Sequence, residues 1–288
     1  MQVSISGSSG FTGKEMINIL DNQGIVFTVI NRDSFGMSDA AFLEQKIEGK
    51  DAVINLAGAP ILQKWTTRKK EEIYNSRIDT TNKIARAIRE AKVKPKVFVS
   101  ASAIGIYSSV GTHTETSNGF ADDFLSKVCH DWEAAAMSVS DITRVVILRT
   151  GIVFGNTGGA LPVMHKPFSM ALGGTIGKGT QPLSWIHIRD LVNIYKFVIE
   201  NDAFSGIVNA VAPNPTTNFH FTKTFAKIIN QPAVFRIPLF ALKARYGEAA
   251  ATLIEGQTVI PEKLNQSGFR FEFPTIEKAL LNLYRKIV

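Results

Sequence analysis

"QVSISGSSGFTGKEMINIL", residues 2–20, is the stretch on which the fold turns. Residues 2–6 read as a short strand. Beyond Lys14 the apolar Met16, Ile17 and Leu20 recur at helical spacing, and Gly24 is the stop signal. Between strand and helix stand Gly7, Ser8, Ser9, Gly10, Phe11, Thr12 and Gly13. Each glycine has its own physical task there. Gly7 permits the tight turn, Gly10 lets the backbone approach a pyrophosphate, and Gly13 lets the helix pack closely on the strand. The free N–H groups and positive dipole end of the helix then face the phosphates. A glycine triplet alone says little, but between a strand and a helix it predicts a dinucleotide loop.

The same rhythm runs outward along the chain. "IVFTVINR" (25–32), "DAVINLAGA" (51–59), "KVFVSASA" (96–103), "TRVVILRTGIVFG" (143–155) and "GIVNAVAP" (206–213) read as further strands. The first of these is mostly apolar and is expected to be buried on both faces. Helical stretches from about Thr67 to Ala91 and from about Ala121 to Met137 separate them. Such alternation predicts an α/β fold, a doubly wound parallel sheet with helices on both faces. From Gly155 the rhythm breaks. "GNTGGALPVMHKPFSMALGGTIGKGTQPLSWIHIRD" (155–190) is glycine-rich and irregular, as ligand loops at the C-terminal ends of parallel strands are. Beyond Pro213 the pattern is mainly helical. The expected division is a dinucleotide-binding domain over 1–155 and 185–213, with a smaller, mainly helical substrate-side lobe over 156–184 and 214–288.

Composition narrows the function. Hydrophobic residues make up 45% of the 288 and charged residues 20%, ordinary values for a soluble globular protein. The single cysteine, Cys129, excludes an internal disulfide framework and a Cys-rich zinc site. It fits a reducing, cytoplasmic setting. "MQVSISGSSG" lacks the pattern of a signal peptide, and no apolar run is long enough to span a bilayer. The net charge of +7 suits an anionic ligand. The basic residues are scattered, and the densest run, "TTRKKEE", mixes signs, which argues against nucleic acid. No His, Glu and Asp spacing suggests a metal. The expected partner is a small-molecule substrate, with no nucleic acid and no membrane, and a homodimer is the candidate assembly.

The glycine spacing is G-x-x-G-x-x-G. With "DAVINLAGAPI", "SRIDTT", "SASAIGIY", "CHDWEAAA", "LRTGIVFG", "GGTIGKGTQPLSWIHIRDLV", "VNAVAPNP" and "GFRFEFPTIEKAL" in that order, the chain resembles an atypical group of short-chain dehydrogenases/reductases. The group lies in the extended, epimerase-like branch (the NAD-dependent epimerase/dehydratase superfamily) and carries a small C-terminal domain of unknown function. The resemblance implies a Rossmann fold that binds NADP(H). It implies cofactor contacts from residues 7–13, Leu56, Ala57, Gly58, Ser100 and Arg149. It also implies a reductase, epimerase or dehydratase acting on a sugar-like or other small polar substrate. The alternative is a non-catalytic NADP(H)-binding sensor or scaffold.

An NAD site usually offers a carboxylate at the end of the second strand for the ribose 2′-OH. Here "VINRD" puts Asn31 and Arg32 first and Asp33 one place late. An arginine there can pair with a 2′-phosphate, so NADP(H) is expected, with Asp33 as an NAD ligand the alternative. Members of the superfamily that transfer hydride use a Ser or Thr on the fourth strand and a Tyr-x-x-x-Lys on the next helix. Ser102 resembles that serine. In "FLSKVCHDWE" (124–133), Leu125 and Cys129 fall in the tyrosine and lysine places, so the couple is missing. Leu125, Val128, Cys129, Trp132 and Ala136 form an apolar stripe, which predicts a buried, quiet thiol. Lys127 and Asp131 read as a solvated i,i+4 pair. Tyr107 is the candidate replacement hydroxyl. Gln181, Trp185 and Lys178 are candidate substrate contacts, and His187 and Asp190 are expected to tie loop to helix. Arg32→Ala should weaken NADPH by about 1.5–3 kcal/mol, the range for a hydrogen bond to a charged group, and leave NADH nearly untouched. Calorimetric titration of both cofactors measures this.

Overall fold

Parallel strands β1 (Gln2–Ser6), β2 (Val26–Ile30), β3 (Ala52–Asn55), β4 (Val97–Ala103), β5 (Arg144–Thr150) and β6 (Gly206–Ala210) form one sheet in the order β6-β5-β4-β3-β1-β2. The computed structural model describes residues 1–31, 33–36 and 40–284, so Arg32 lies outside the described residues. The helices that matter below are α1 (Phe11–Asn22), α2 (Ala40–Ile47), α3 (Thr67–Glu90), α4 (Phe124–Met137), α5 (Leu161–Ser169), α6 (Ile188–Glu200), α7 (Asn218–Ile228), α8 (Leu239–Tyr246) and α9 (Ile276–Tyr284).

Side-chain alternation covers both faces of the sheet. Val3, Ile5, Ala52, Ile54, Val97, Val99, Val146 and Leu148 pack with Met16 and Leu20 of α1 and with Leu191, Tyr195 and Val198 of α6. The intervening Val53, Phe98, Val145 and Ile147 pack with Leu43 and Ile47 of α2, Ile84 and Ile88 of α3 and Ala136 of α4. Burial on two sides is why these strands read as continuous apolar runs. β2 departs from that expectation. Val26 is 60% exposed and only Ile30 is fully buried. The chain leaves β2 and crosses past β1 to form β3, which strands β2 at the sheet edge. The same reversal puts a topological switch point between β1 and β3, where open α/β sheets hold their ligands.

The run 143–155 is two strands rather than one. β5 ends at Thr150, and Ile152–Phe154 leaves the sheet to pair in parallel with Trp185–His187. Gly151 makes the break. A Cβ there would lie 2.8 Å from the Ser184 carbonyl oxygen, so only glycine lets the two segments approach. The lobe beyond is built on an aromatic core of Phe154, Phe168, Trp185, Phe221 and Phe225, closed by Leu280 and Tyr284 of α9. His187 Nδ1 accepts the Arg189 N–H at 3.1 Å and caps α6. Burial holds its pKa down at about 4, so the ring stays a neutral acceptor at neutral pH. The buried Asp190 carboxylate accepts the Glu272 and Phe273 N–H groups at 2.8 and 3.0 Å. The pair ties α6 to the C-terminal segment. Among the described residues no helix is long and apolar enough to cross a membrane.

α1 can start where it does only because of its glycines. A Cβ on Gly13 would lie 2.3 Å from the Gly7 carbonyl oxygen, whereas one on Gly24 would meet nothing within 4 Å. Gly24 needs glycine only for its φ of +66°. Gly13→Ala should cost about 1–3 kcal/mol through overpacking. Gly24→Ala should cost about 1–2 kcal/mol through its left-handed backbone. Urea unfolding is expected to show both losses, and NADPH titration to separate them, with only Gly13→Ala losing affinity.

Candidate functional site

At the switch point the chain makes a cradle without side chains. Gly7 has φ +75°, and a Cβ on it would sit 2.6 Å from the Leu56 carbonyl carbon and 2.7 Å from the Ala57 nitrogen. The loop after β1 therefore lies directly on the loop after β3. Gly10 donates its N–H to the Gly7 carbonyl at 3.1 Å and stands at the N-cap of α1. It has no side chain to cap the helix, and no acidic residue occupies the first turn. The first-turn N–H groups thus have no side-chain cap and could hold an anion. Ser9 and Gly10 are exposed, and Ser8 and Thr12 half-buried. Phe11 has a different place. Its ring lies under Gly155, Gly158 and Gly159, so close that a Cβ on Gly155 would be 2.3 Å from Cζ. Thr157 Oγ1 donates to Glu15 at 2.9 Å beside it. The glycine run after β5 is thereby folded over the start of α1.

The rim after β3 is held by Asn55. Its Oδ1 accepts from the Ser6 hydroxyl and from the Ala57 N–H at 3.3 Å, and its Nδ2 donates to Thr81 at 2.8 Å. Leu56 and Ala57 are half-buried and Gly58 is exposed. Asn31, just past β2, is exposed and caps the Ser34 N–H at 3.1 Å.

A buried polar network fills the ends of β4 and β5. Arg149 grips the Glu133 carboxylate through Nε at 2.8 Å and Nη2 at 2.7 Å. Ser102 donates to the same carboxylate at 2.6 Å. Arg149 Nη1 donates to the Tyr107 hydroxyl at 2.9 Å, and that hydroxyl in turn reaches Asn209 Oδ1 at 2.9 Å and the Thr114 carbonyl at 3.0 Å. Asn209, Glu262 and Lys263 give backbone N–H bonds to Glu115, which carries the network into the C-terminal segment. Ser102, Tyr107 and Arg149 are therefore together in one buried network. Each is buried, at 3%, 0% and 4% exposure, with its hydrogen-bond donors engaged inside the protein. Burial raises the Tyr107 pKa above its ordinary value in spite of Arg149. Burial opposes the Arg149 charge, but the Glu133 carboxylate outweighs it and holds that pKa above the usual range. Ser100 is fully buried, with its hydroxyl on the Ala101 carbonyl at 3.3 Å.

α4 is the helix its apolar stripe predicts. Cys129 and Trp132 are buried, while Lys127 faces out and pairs with Asp131 at 2.7 Å. Burial, followed by the Glu133 charge, pushes the Cys129 thiol up to about 12. On the lobe side, Lys178 is exposed in a turn between Gly177 and Gly179, both at positive φ. Gln181 is half-buried and donates to the Ile176 carbonyl at 3.3 Å. Trp185 is fully buried and stacks on Phe154 at 5.7 Å, so its indole offers no face to a ligand. A cavity of about 510 Å³ opens between the N-terminal ends of α3 and α4, lined by Trp65, Lys70, Tyr74, Phe124, Lys127 and Glu248 among others. None of its lining residues belongs to the glycine loop. Among the described residues no group of His, Cys, Asp or Glu is placed to hold a metal ion.

The polar residues that sequence reading passed over are Asn55, Arg77, Glu115, Glu133 and Asn209. One signal was available: Glu133 lies four after Cys129, beside the apolar stripe, where a carboxylate needs a partner.

Residues 3–210 match the model of the NAD dependent epimerase/dehydratase family, and residues 237–283 match a domain of unknown function, DUF1731. The chain belongs to the NAD dependent epimerase/dehydratase family. It is similar to the Bacillus subtilis epimerase family protein YfhF, at 36% identity over 98% of both chains. The human epimerase family protein SDR39U1 is 35% identical over 97% of this chain and 98% of that protein. A crystal structure of human SDR39U1 with NADPH superimposes with a TM-score of 0.92, at 34% identity over 99% of each chain. The UDP-glucose 4-epimerase of Thermus thermophilus, in complex with NAD, shares the fold at a TM-score of 0.78 and 17% identity. The chain shares the fold of that human protein along its length, with apolar Leu125 and the buried Cys129 on α4.

Because it is buried and its thiol is held protonated, Cys129 should react slowly with a thiol reagent in native protein and quickly once unfolded. Stoichiometric labelling in urea and in buffer measures the contrast.

Proposed function

We propose that this protein is an NADP(H)-dependent reductase of a small polar substrate that works without a tyrosine–lysine couple. The observation that carries this reading is the side-chain-free cradle of Gly7, Gly10 and Gly13 against Leu56 and Ala57 at the switch point. Support comes from the NADPH held by the similar human protein. When bound, the cofactor would supply hydride. Residues 7–13 and the Leu56–Gly58 rim would hold its pyrophosphate. Asn31 and Arg32 would meet the adenosine 2′-phosphate. Ser102, Tyr107 and Arg149 would act as positioning residues that fix the strand ends beneath the nicotinamide. Lys178 and Gln181 would contact the substrate.

Reduction is favoured over epimerisation or dehydration by its proton demand. Both alternatives need a base in the protein to take a proton from the substrate. The Tyr107 pKa is raised and its hydroxyl engaged, Ser102 already donates to Glu133, and the Cys129 thiol is held protonated. A carbonyl or conjugated acceptor whose reduced form takes its proton from water needs none of them. The same engaged hydroxyls favour a second reading, a non-catalytic NADP(H)-binding sensor.

Loss of NADPH absorbance with a panel of aldehydes, ketones and quinones, and transfer of a deuterium label from NADPH to product, tests the proposal. Lys127→Ala should keep turnover. Ser102→Ala should lose roughly 10²-fold by loosening the network under the reacting atoms. Tight NADPH binding with no turnover across the panel supports the sensor, and abolition of turnover by Lys127→Ala would overturn the placement of α4 in the reaction.

A further inference from the structure

The cavity of about 510 Å³ between the starts of α3 and α4 has an aromatic wall. Trp65 and Phe124 meet edge to face with ring centroids 5.2 Å apart. Tyr74 stands one turn beyond Lys70 on α3. All three rings are half-buried and line the cavity. Lys70 lies among them. Its Nζ is 5.1 Å from the Phe124 centroid and 6.0 Å from that of Trp65, and it pairs with Glu248 at 2.7 Å. Glu248 comes from the short 3-10 turn after α8, and among the described residues Lys70 is its one side-chain partner. With side chains 32% and 54% exposed, such a pair adds little stability. Lys127 is held differently. Its partner Asp131 lies one turn on along the same helix and also accepts the Tyr74 hydroxyl at 2.8 Å, so that carboxylate is fixed from two sides. Lys70 is therefore the ammonium that can change partners.

The cavity continues from the rim after β3. Beyond Gly58 the chain is laid along α3, where the Ala59 N–H donates to Ser76 Oγ at 2.9 Å and Trp65 Nε1 to the Ile61 carbonyl at 2.9 Å. Phe124 precedes Leu125, which lies 3.8 Å from where a Cβ on Gly105 would stand, just past the end of β4. A second cavity of about 440 Å³ is lined by Leu239 and Lys243 of α8 and by Glu248, so the two meet at that carboxylate. Leu239 packs on Gly177, beside Lys178. The groove thus leads from the end of β4 to the Lys178 turn, with the Lys70–Glu248 pair between them. Aromatic walls favour a flat ring, by stacking or by edge contact. A ligand carboxylate could replace that of Glu248 on Lys70 without leaving the ammonium unpaired, and Glu248 would pass into water.

We propose that this cavity binds the substrate, and that the substrate is a flat aromatic carboxylate whose charged group takes the place of Glu248 on Lys70. This rests on the reductase reading above and names the substrate class of that reading.

The test is calorimetric titration of the full chain with three probes. They are 2-naphthoate, 2-naphthamide, which has the ring without the charge, and hexanoate, which has the charge without the ring. Wild type should bind 2-naphthoate about 10-fold tighter than either. Lys70→Met should bring 2-naphthoate down to the level of 2-naphthamide and leave 2-naphthamide unchanged. Phe124→Ala should weaken both aromatic probes about 3- to 10-fold and spare hexanoate. Phe124→Leu carries the same comparison should Phe124→Ala not fold. Glu248→Gln should tighten 2-naphthoate about 2- to 5-fold, because the competing carboxylate is gone. A pair that only fastens the C-terminal segment predicts no such gain, and its absence overturns the inference. Equal wild-type affinity for 2-naphthoate and 2-naphthamide overturns it too. With NADPH present, 4-formylbenzoate should be reduced with a KM about 10-fold below that of benzaldehyde, and Lys70→Met should remove the difference with kcat unchanged. The same KM for both aldehydes in wild type overturns the substrate assignment. NADPH is titrated into the same protein. Binding of NADPH without 2-naphthoate defeats this inference alone. Binding of 2-naphthoate without NADPH defeats the reductase reading and leaves the pocket standing.

Discussion

Glu133 and Arg149 face each other with side chains 10% and 5% exposed and two short hydrogen bonds between them. Either charge alone at that depth would be strongly destabilising, so the two must stay in register. Glu133 stands on α4 and Arg149 on β5, and the pair therefore pins the helix to the sheet. Ser102 on β4 and Tyr107 beyond it take up the remaining oxygen and nitrogen positions. Through Asn209 on β6 and Glu115 the same chain of bonds reaches Glu262 and Lys263. One buried ion pair thus sets the relative positions of three strand ends and draws the C-terminal segment onto them.

The two halves of the cleft are built by different physics. The glycine half depends on the absence of atoms, with Gly7 and Gly13 each standing where a methyl group would strike backbone. Its attraction for anions comes from backbone N–H groups and the start of α1, which hold at any pH near neutral. The other half depends on charged side chains taken out of water. There Arg149 is compensated by Glu133, and Arg77 is not compensated by any carboxylate among the described residues.

α4, which contains no tyrosine, holds its place as a packing element. Val128 and Trp132 pack on Ile78 of α3, Ala136 packs on Ile84 and Ile88 of α3 and Phe98 of β4, and Cys129 packs on Ile104 and Ile106, while Lys127 is turned outward to Asp131. A helix keeps its place in a fold through its buried face. Its catalytic side chains can therefore change without disturbing the sheet, and a likeness of fold cannot by itself name a reaction.

By itself the sequence determined the features that depend on neighbours in the chain. The central strands, the glycine turn ahead of α1, the apolar stripe of α4 and the outward Lys127–Asp131 pair all follow from local spacing, because side-chain periodicity and glycine sterics act within a few residues. Tertiary structure alone decided what depends on distant partners. β2 became an edge strand because the crossover to β3 passes β1. The strand read over 143–155 was cut at Gly151 because Ser184 packs against it. Trp185 went into the lobe core against Phe154, and Ser102, Tyr107 and Arg149 into a closed network around Glu133. Arg77, one residue of "SRIDTT", became a buried cation with no carboxylate partner among the described residues, because Gly58 and Trp132 close around it. Burial and compensation of a charge are properties of a site's surroundings, and those surroundings come from segments far apart in the chain.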